Sequence, residues 1–239
     1  MEYVYLTETE STNKYAKKLA KNGANEFTVI IADRQTGGYG RIERTFHSPD
    51  TSGLYMSIVL RPKLSPEKTL YITTAAAVAV SEVIEEISGK NVGIKWVNDL
   101  FIDQRKVCGI LTEAGYNGCC LDYAILGIGI NIYAPTEGFP DDIKDIAGAV
   151  FDTPVDIRDR LAKTIVERFS YYYKDLEEKK FLPYYKAKNI VMGKNIKVIN
   201  SNGSYNAKAL SIDDEFRLIV EDKNKKVTAL DSGEISIRI

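Results

Sequence analysis

In the first half of the chain, segments with hydrophobic residues at helical spacing alternate with short apolar runs typical of strands. Ser11 or Thr12 is placed to cap a helix that ends near Gly23. Pro66 opens a longer pattern of helical period, which predicts a helix to about Ile87. Runs of apolar and β-branched residues predict strands over Phe27 to Ala32, Leu54 to Leu60, Gly93 to Val97, Leu100 to Ile102, Val107 to Glu113 and Asp122 to Ile132.

The pattern changes towards the carboxyl end of the chain. From Asp156 to about Lys188 the spacing predicts a charge-rich helix, and from Ile190 onward it alternates. Turn residues separate the short runs IKVIN, YNAKALSI, FRLIVED, KVTAL and EISIRI, which predict a small barrel of SH3-like type. We therefore expect an α/β (α+β) protein, with a mixed sheet and helices over residues 1–188 and an SH3-like β-barrel over residues 189–239.

Composition excludes several broad classes of protein. The 239 residues are 44% hydrophobic and 27% charged, which is typical of a globular protein rather than a disordered one. A formal net charge of -1 gives no general attraction to nucleic acid or to an anionic membrane, so we expect neither as a partner. The amino terminus lacks the basic and apolar regions of a signal peptide.

Cysteine and histidine usage limits the possible chemistry. Cys108 and the neighbouring Cys119 and Cys120 show no metal-type spacing, and buried thiols in a reduced, cytoplasmic setting are the expected state. The single histidine, His47, rules out a His-rich zinc site and lies in a polar segment. We expect it to be an exposed structural residue.

A glycine-rich loop runs from Gln35 to Arg41 and is followed by Arg44. Glycines allow backbone N–H groups to approach an anion, and arginines add fixed positive charge. The loop is neither a Walker sequence nor a dinucleotide fingerprint, because no Gly-Lys-Ser/Thr and no helix pattern follow it. From the local pattern alone, a mobile surface loop remains an alternative.

A polar cluster spans Lys95 to Asp99 and continues at Arg105 and Lys106. It is compatible with a plain turn closed by a salt bridge. Lys106, however, opens an apolar strand, where a charge needs a partner, and a small anionic ligand is one candidate. Glu113, seven residues further on, falls on the other face of an ideal strand and suits that role less well.

Two glycines also interrupt the apolar run from Gly127 to Asn131. At a spacing of two they share one face of a strand and leave a flat groove for a ligand or for another backbone. Tight packing within the sheet is the alternative interpretation. Asn131, at the end of the run, is placed to cap a turn or to hydrogen-bond a ligand.

These clusters, in this order, resemble the biotin–protein ligases over nearly the whole chain. The matching segments are Ser11-Thr-Asn13, Ala32 to Gln35, Gly38-Tyr-Gly-Arg41, Ser48-Pro49, Lys95-Trp-Val-Asn-Asp99, Arg105 to Leu111, Gly127 to Asn131 and Ser232-Gly-Glu-Ile-Ser. The resemblance implies a catalytic domain that converts biotin and ATP, with Mg²⁺ on the triphosphate, into biotinyl-adenylate. It further implies transfer of the biotinyl group to a lysine of a biotin carboxyl carrier protein or domain.

The resemblance also implies roles for single residues, with Lys106 and Arg41 as the catalytic ones. The biotin site would comprise Ser11, Thr12, Asn13, Gln35, Gly38, Tyr39, Gly40, Arg41, Lys106, Gly109 and Gly129. The ATP site would comprise Arg41, Phe46, Lys95, Asn98, Lys106 and Asn131. Two positions depart from the family pattern, since Tyr39 stands where arginine is usual and Phe46 where tryptophan is usual. We expect catalysis to survive both and retention of the adenylate to change.

Further expectations concern organisation and alternatives. The chain begins just before the Ser-Thr-Asn helix, so we expect the monofunctional type, without a DNA-binding segment, and a homodimer is possible as in the family. A lipoate–protein ligase is the nearest alternative. A non-catalytic module is another, whose barrel would dock nucleic acid or protein through Lys197, Lys208, Lys223, Lys225 and Lys226.

Overall fold

A computed structural model describes residues 1–41, 44–49, 51–118, 120–200, 203–231 and 234–237. The expectations for Cys119 and for Ser232-Gly233 lie outside these residues. Within them, the strands form a seven-stranded sheet and a five-stranded sheet. No helix in the described ranges combines the length and the apolar character needed to cross a membrane.

The larger sheet comes from the amino-terminal part of the chain. Its strands are β1 (Glu2–Thr9), β2 (Thr28–Gln35), β3 (Gly53–Leu60), β4 (Gly93–Lys95), β5 (Asp99–Ile102), β6 (Arg105–Asn117) and β7 (Cys120–Asn131). They lie side by side in the order β1-β2-β3-β7-β6-β5-β4. The β1–β2 pair is parallel and the other neighbours are antiparallel, so the sheet is mixed as expected.

Helices cover both faces of this sheet: α1 (Thr12–Lys21), α2 (Thr69–Ser88), α3 (Arg158–Tyr173) and α4 (Leu182–Lys188). On one face, Ala16 and Ala20 of α1 pack with Ile30, Val59 and Ile125 of the sheet. On the other face, α2 and α3 pack over the alternate residues of the same strands. Strand β3 is buried along its whole length because both of its faces are covered.

Two parts of the fold differ from the sequence expectation. The helix expected from Asp156 to Lys188 is wrong as a single element, because a 3-10 turn at Leu176–Glu178 and a left-handed Lys179 (φ 54) separate α3 from α4. Pro183 then lies in the first turn of α4, where its missing N–H does no harm. Strand β1 was not predicted, because its residues alternate weakly and half of them are exposed at the edge of the sheet.

The second sheet confirms the predicted run of carboxyl-terminal strands. Its members are β8 (Asn195–Asn200), β9 (Gly203–Ile212), β10 (Leu218–Asp222), β11 (Val227–Leu230) and β12 (Glu234–Ile237), all antiparallel, in the order β11-β10-β9-β8-β12. One hydrophobic cluster contains residues of both sheets, so the two units share a core. The boundary between residues 188 and 189 stays a prediction.

Candidate active site

A cavity of about 470 Å³ lies where α1, the glycine-rich loop and the ends of several strands meet. Its walls include most of the residues that the sequence singled out: Ser11, Thr12, Asn13, Gln35, Tyr39, Gly40, Arg41, Phe46, Lys95, Asn98, Lys106, Gly109, Gly129 and Asn131. Gly38 is not among the lining residues. Its Cα faces the Ser48 hydroxyl and the Phe46 carbonyl, which an added Cβ would approach to 2.6 and 2.7 Å.

The start of α1 is tied to the end of β2. The backbone N–H and the hydroxyl of Thr12 donate to Gln35 Oε1 at 2.8 and 3.1 Å. The amide of Gln35 in turn donates to Ser48 Oγ at 2.9 Å, and Ser48 donates to the Phe46 carbonyl. Because both ends of the Gln35 amide have partners, its orientation is fixed against the cavity wall.

A second chain of hydrogen bonds reaches from β3 to the glycine-rich loop. Ser57 Oγ lies 2.8 Å from Thr12 Oγ1 and 2.6 Å from Asn13 Oδ1. Glu113 then accepts from Asn13 Nδ2 at 2.8 Å and from the Tyr39 hydroxyl at 2.7 Å. Burial and the hydrogen bond to Glu113 raise the pKa of Tyr39, so its phenol remains a donor at neutral pH.

Lys106 has a partner within the chain. Its Nζ lies 2.6 Å from Asp99 Oδ1, with the two side chains 32% and 20% exposed. In the β5–β6 pairing Asp99 stands opposite Gly109, and a Cβ on Gly109 would come within 3.3 Å of Lys106 Nζ. The missing side chain of Gly109 therefore leaves room for the ammonium. Asp99 was not predicted as this partner. Glu113 was expected on the other face of the strand, but it binds Asn13 and Tyr39, which line the same cavity as Lys106.

Arg41 is held by the residue next to Asp99. It donates to Asn98 Oδ1 at 3.3 Å, and Asn98 Nδ2 donates to the Ile110 carbonyl at 2.6 Å. The Ile110 N–H returns a bond to the Asn98 carbonyl at 3.0 Å, which locks the side chain and backbone of Asn98 onto β6. The guanidinium and the Lys106 ammonium thus line one cavity, which suits it to anionic ligands.

Glycines form the floor of the cavity. Gly109 of β6 pairs directly with Gly129 of β7, and the Phe46 ring lies against both. A Cβ on Gly129 would approach Phe46 Cε1 to 2.6 Å, and one on Gly127 would approach Asn13 Oδ1 to 2.2 Å. The flat groove expected from this spacing is therefore present, and it is filled by two side chains of the chain itself.

Several lining residues were missed or misjudged from the sequence. His47 is half-buried and lines the cavity, so the expectation of an exposed structural histidine was wrong. A further wall comes from Phe139, Asp142, Ile143, Ile146, Ala147 and Ile235. The 139–147 segment has no periodic pattern that would have indicated it. It is fixed to β6 by hydrogen bonds from Lys106 N–H to Ile146 and from Gly148 N–H to Lys106.

No group of three or more His, Cys, Asp and Glu side chains in the described residues is arranged to hold a metal ion. Cys108 is a free, fully buried thiol, and burial raises its pKa. Asn131 lines the cavity, but its side-chain amide also has a partner within the chain, because it donates to the Gly148 carbonyl at 2.9 Å.

Comparison with known proteins gives a family match and relatives that align with nearly the whole of this chain. A model of the biotin/lipoate A/B protein ligase family matches residues 5–131. The bifunctional ligase/repressor BirA of Bacillus subtilis (strain 168) is 37% identical over 239 residues, which cover 98% of this chain and 73% of that protein. The biotin--[acetyl-CoA-carboxylase] ligase of Mycobacterium tuberculosis is 26% identical over 243 residues, covering 96% and 86%.

Solved structures share the fold over almost the whole chain. The biotin protein ligase from Aquifex aeolicus in complex with biotin and ATP has a TM-score of 0.82 at 27% identity, covering 99% of this chain and 98% of that one. The biotin protein ligase from Leishmania major in complex with biotinyl-5-AMP has a TM-score of 0.61 at 23% identity and supports the fold alone.

Proposed function

This chain belongs to the biotin/lipoate A/B protein ligase family, and we propose that it forms biotinyl-5'-AMP from biotin and ATP and transfers the biotinyl group to a lysine of a biotin carboxyl carrier protein. Its relatives named as biotin ligases support the coarse activity, an ATP-dependent biotin ligase. The two-step route, the carrier and the roles of single residues are part of the proposal.

The observation that carries the proposal is the pairing of two cations with a hydrogen-bonding pocket. Lys106 and Arg41 line the same cavity as Ser11, Thr12, Asn13 and Gln35. The four polar residues offer the donors and acceptors that a ureido ring needs, while the two cations suit a carboxylate beside a phosphate.

In the first step, a carboxylate oxygen of biotin forms a bond to the α-phosphorus of ATP as the bond to the bridging oxygen breaks and pyrophosphate leaves. Two anions must meet for this reaction, and a fixed ammonium at Lys106 lowers their repulsion and stabilises the charge that develops at phosphorus. Asp99, at 2.6 Å, keeps that ammonium in place before the reactants arrive.

In the second step, the amine of the carrier lysine, having lost a proton, attacks the acyl carbon and AMP leaves. The segment with Phe139, Ile143 and Ile146 suits the adenine base of the nucleotide, because these apolar side chains also line the cavity. Mg²⁺ would enter with the triphosphate and neutralise part of its charge.

A Lys106→Ala variant tests the proposal. We expect biotin-dependent ATP–pyrophosphate exchange to fall by roughly 100-fold or more, because the charge at phosphorus loses its counter-ion. Lys90→Ala is the matched control, since Lys90 also forms an ion pair, with Asp152 at 3.3 Å, but does not line the cavity. Normal exchange by Lys106→Ala would sink the assignment of this residue.

The same assay separates biotin from its nearest alternative. Exchange that depends on lipoate and not on biotin would turn the proposal towards lipoate–protein ligation. Calorimetric titration of the free protein with each acid then gives the preference directly. Mass spectrometry of a carrier domain, before and after reaction, checks the transfer step through the added mass on one lysine.

A further inference from the structure

The short connection between β4 and β5 carries the residues that hold both cavity cations. Trp96 and Val97 form this connection and are buried, at 3% and 4% exposure. The next two residues are Asn98, which binds Arg41, and Asp99, which binds Lys106. The position of Trp96 and Val97 therefore determines where Asn98 and Asp99 lie and, through them, the two contacts with the cations.

Two hydrogen bonds from later parts of the chain hold this connection. The Trp96 indole N–H donates to the carbonyl of Phe216 at 2.9 Å. The hydroxyl of Tyr185 in α4 donates to the Val97 carbonyl at 3.0 Å. Both bonds are buried, so water does not replace them easily when one is lost.

Phe216 is buried among three other aromatic rings. Its ring stacks on Phe181 with centroids 5.1 Å apart and meets the edges of Tyr71 and Tyr185 at 5.2 and 5.7 Å. Its backbone adopts a left-handed conformation (φ 61), which is uncommon for a residue other than glycine.

Ion pairs anchor the turn that precedes Phe216. Glu215 lies 2.6 Å from Lys179, and Asp214 lies 2.8 Å from Lys186. This turn connects β9 to β10 of the second sheet, whereas Lys179 lies just before α4 and Lys186 lies within it. These ion pairs connect the second sheet to α4 close to the two hydrogen bonds with the Trp96–Val97 connection. Phe216 accepts one of these bonds, and Tyr185 of α4 donates the other.

The electrostatics agree with this proximity. Burial raises the pKa of Tyr185 far above its usual value, while the positive charge of Arg41 acts in the opposite direction. Ile235 of β12 lines the cavity as well, so the second sheet also contributes a wall. Tyr185 and Phe216 fall outside the segments that match the family pattern.

We infer that Tyr185 and Phe216 are positioning residues: by fixing the Trp96–Val97 connection from α4 and from the second sheet, they hold Arg41 and Lys106 in the orientation that adenylation requires. The inference rests on the proposed function, because adenylation is the step in which both cations act. It makes the second sheet part of the catalytic apparatus rather than an appended module.

The test compares two neighbouring tyrosines of α4. Tyr185→Phe removes only the hydroxyl bound to Val97, and Tyr184→Phe removes a hydroxyl that donates to Glu85 at 2.8 Å, away from the cavity. For Tyr185→Phe we expect kcat of biotin-dependent pyrophosphate exchange to fall about tenfold, with KM for biotin and ATP within about twofold. Tyr184→Phe should keep the wild-type kcat.

A second measurement does not depend on activity. Hydrogen exchange of the ligand-free protein should be faster at the Ile110 amide, which binds the Asn98 carbonyl, in Tyr185→Phe than in Tyr184→Phe. Phe216→Leu, which keeps an apolar side chain but loses the ring contacts, should show the same change together with the lower kcat.

The outcomes separate the inference from the function on which it rests. Equal kcat and equal exchange in both tyrosine variants would overturn the inference while the wild-type activity still supports the proposed function. A wild-type protein without biotin-dependent exchange would overturn the proposed function. The hydrogen-exchange difference would then support or refute the positioning of Asn98 by itself.

Discussion

At the scale of single residues, Tyr39 shows how a departure from the family pattern is accommodated. The family usually has arginine here, and altered retention of the adenylate was the expectation from sequence. In the structure the hydroxyl of Tyr39 donates to Glu113, and the Lys14 ammonium lies 5.7 Å from its ring. Tyr39 therefore ties the glycine-rich loop to α1 and β6 within the chain itself.

Replacing Tyr39 by phenylalanine tests this tie. We expect the free energy of unfolding to fall by about 1 kcal/mol, because Glu113 loses one of its two donors. The loop should also open more often, so trypsin should cleave the free protein faster after Arg41 or Arg44. Tyr171→Phe, at a 61% exposed site, provides the control. Unchanged cleavage in Tyr39→Phe would show that other contacts hold the loop.

At the scale of elements, the glycines of β7 decide how closely α1 approaches the sheet. Asn13 sits in the first turn of α1 and is buried, at 5% exposure. Its amide oxygen lies where a side chain at residue 127 would begin. The glycine spacing therefore serves both interpretations that the sequence left open, since Gly127 permits tight packing and Gly129 underlies the groove.

Gly127→Ala and Gly129→Ala should have different consequences. The first places a Cβ 2.2 Å from Asn13 Oδ1, so we expect the free energy of unfolding to fall by about 1–3 kcal/mol and biotin binding to weaken. The second meets the edge of the Phe46 ring, which can rotate away, so the loss of stability should be smaller. Urea unfolding and calorimetry with biotin measure both effects, and equal losses would contradict the distinction.

At the scale of the whole molecule, the two sheets share one hydrophobic cluster. The chain has a single tryptophan, and Trp96 lies at the junction, where it donates to Phe216. Its fluorescence therefore reports on contact between the units, whereas far-UV circular dichroism reports on the secondary structure of both.

We expect the two signals to give one coincident urea transition. A shared core and a buried hydrogen bond across the junction make separate unfolding of the second sheet unfavourable. A fluorescence change that precedes the loss of circular dichroism would instead show that the second sheet detaches first. That result would show that the two units on either side of residue 188 unfold separately, despite their shared core.

The sequence by itself determined the elements with strong periodicity and about half of the residues that line the cavity. Strands β2 and β3, the helices α1 and α2 and the carboxyl-terminal strands follow from local spacing, turn residues and burial. The ordered set of motifs, including those around Lys95 and Lys106, predicted the family, and the family match over residues 5–131 confirmed it.

Tertiary structure alone decided which of these residues touch. Asp99 pairs with Lys106 because strand pairing sets it opposite Gly109, and Phe216 reaches Trp96 from 120 residues away. The 139–147 wall and the half-buried His47 have no local signal, since their place depends on what β6 and the glycine-rich loop leave beside them. Local pattern fixes backbone conformation, whereas contacts between distant residues depend on how the elements pack together.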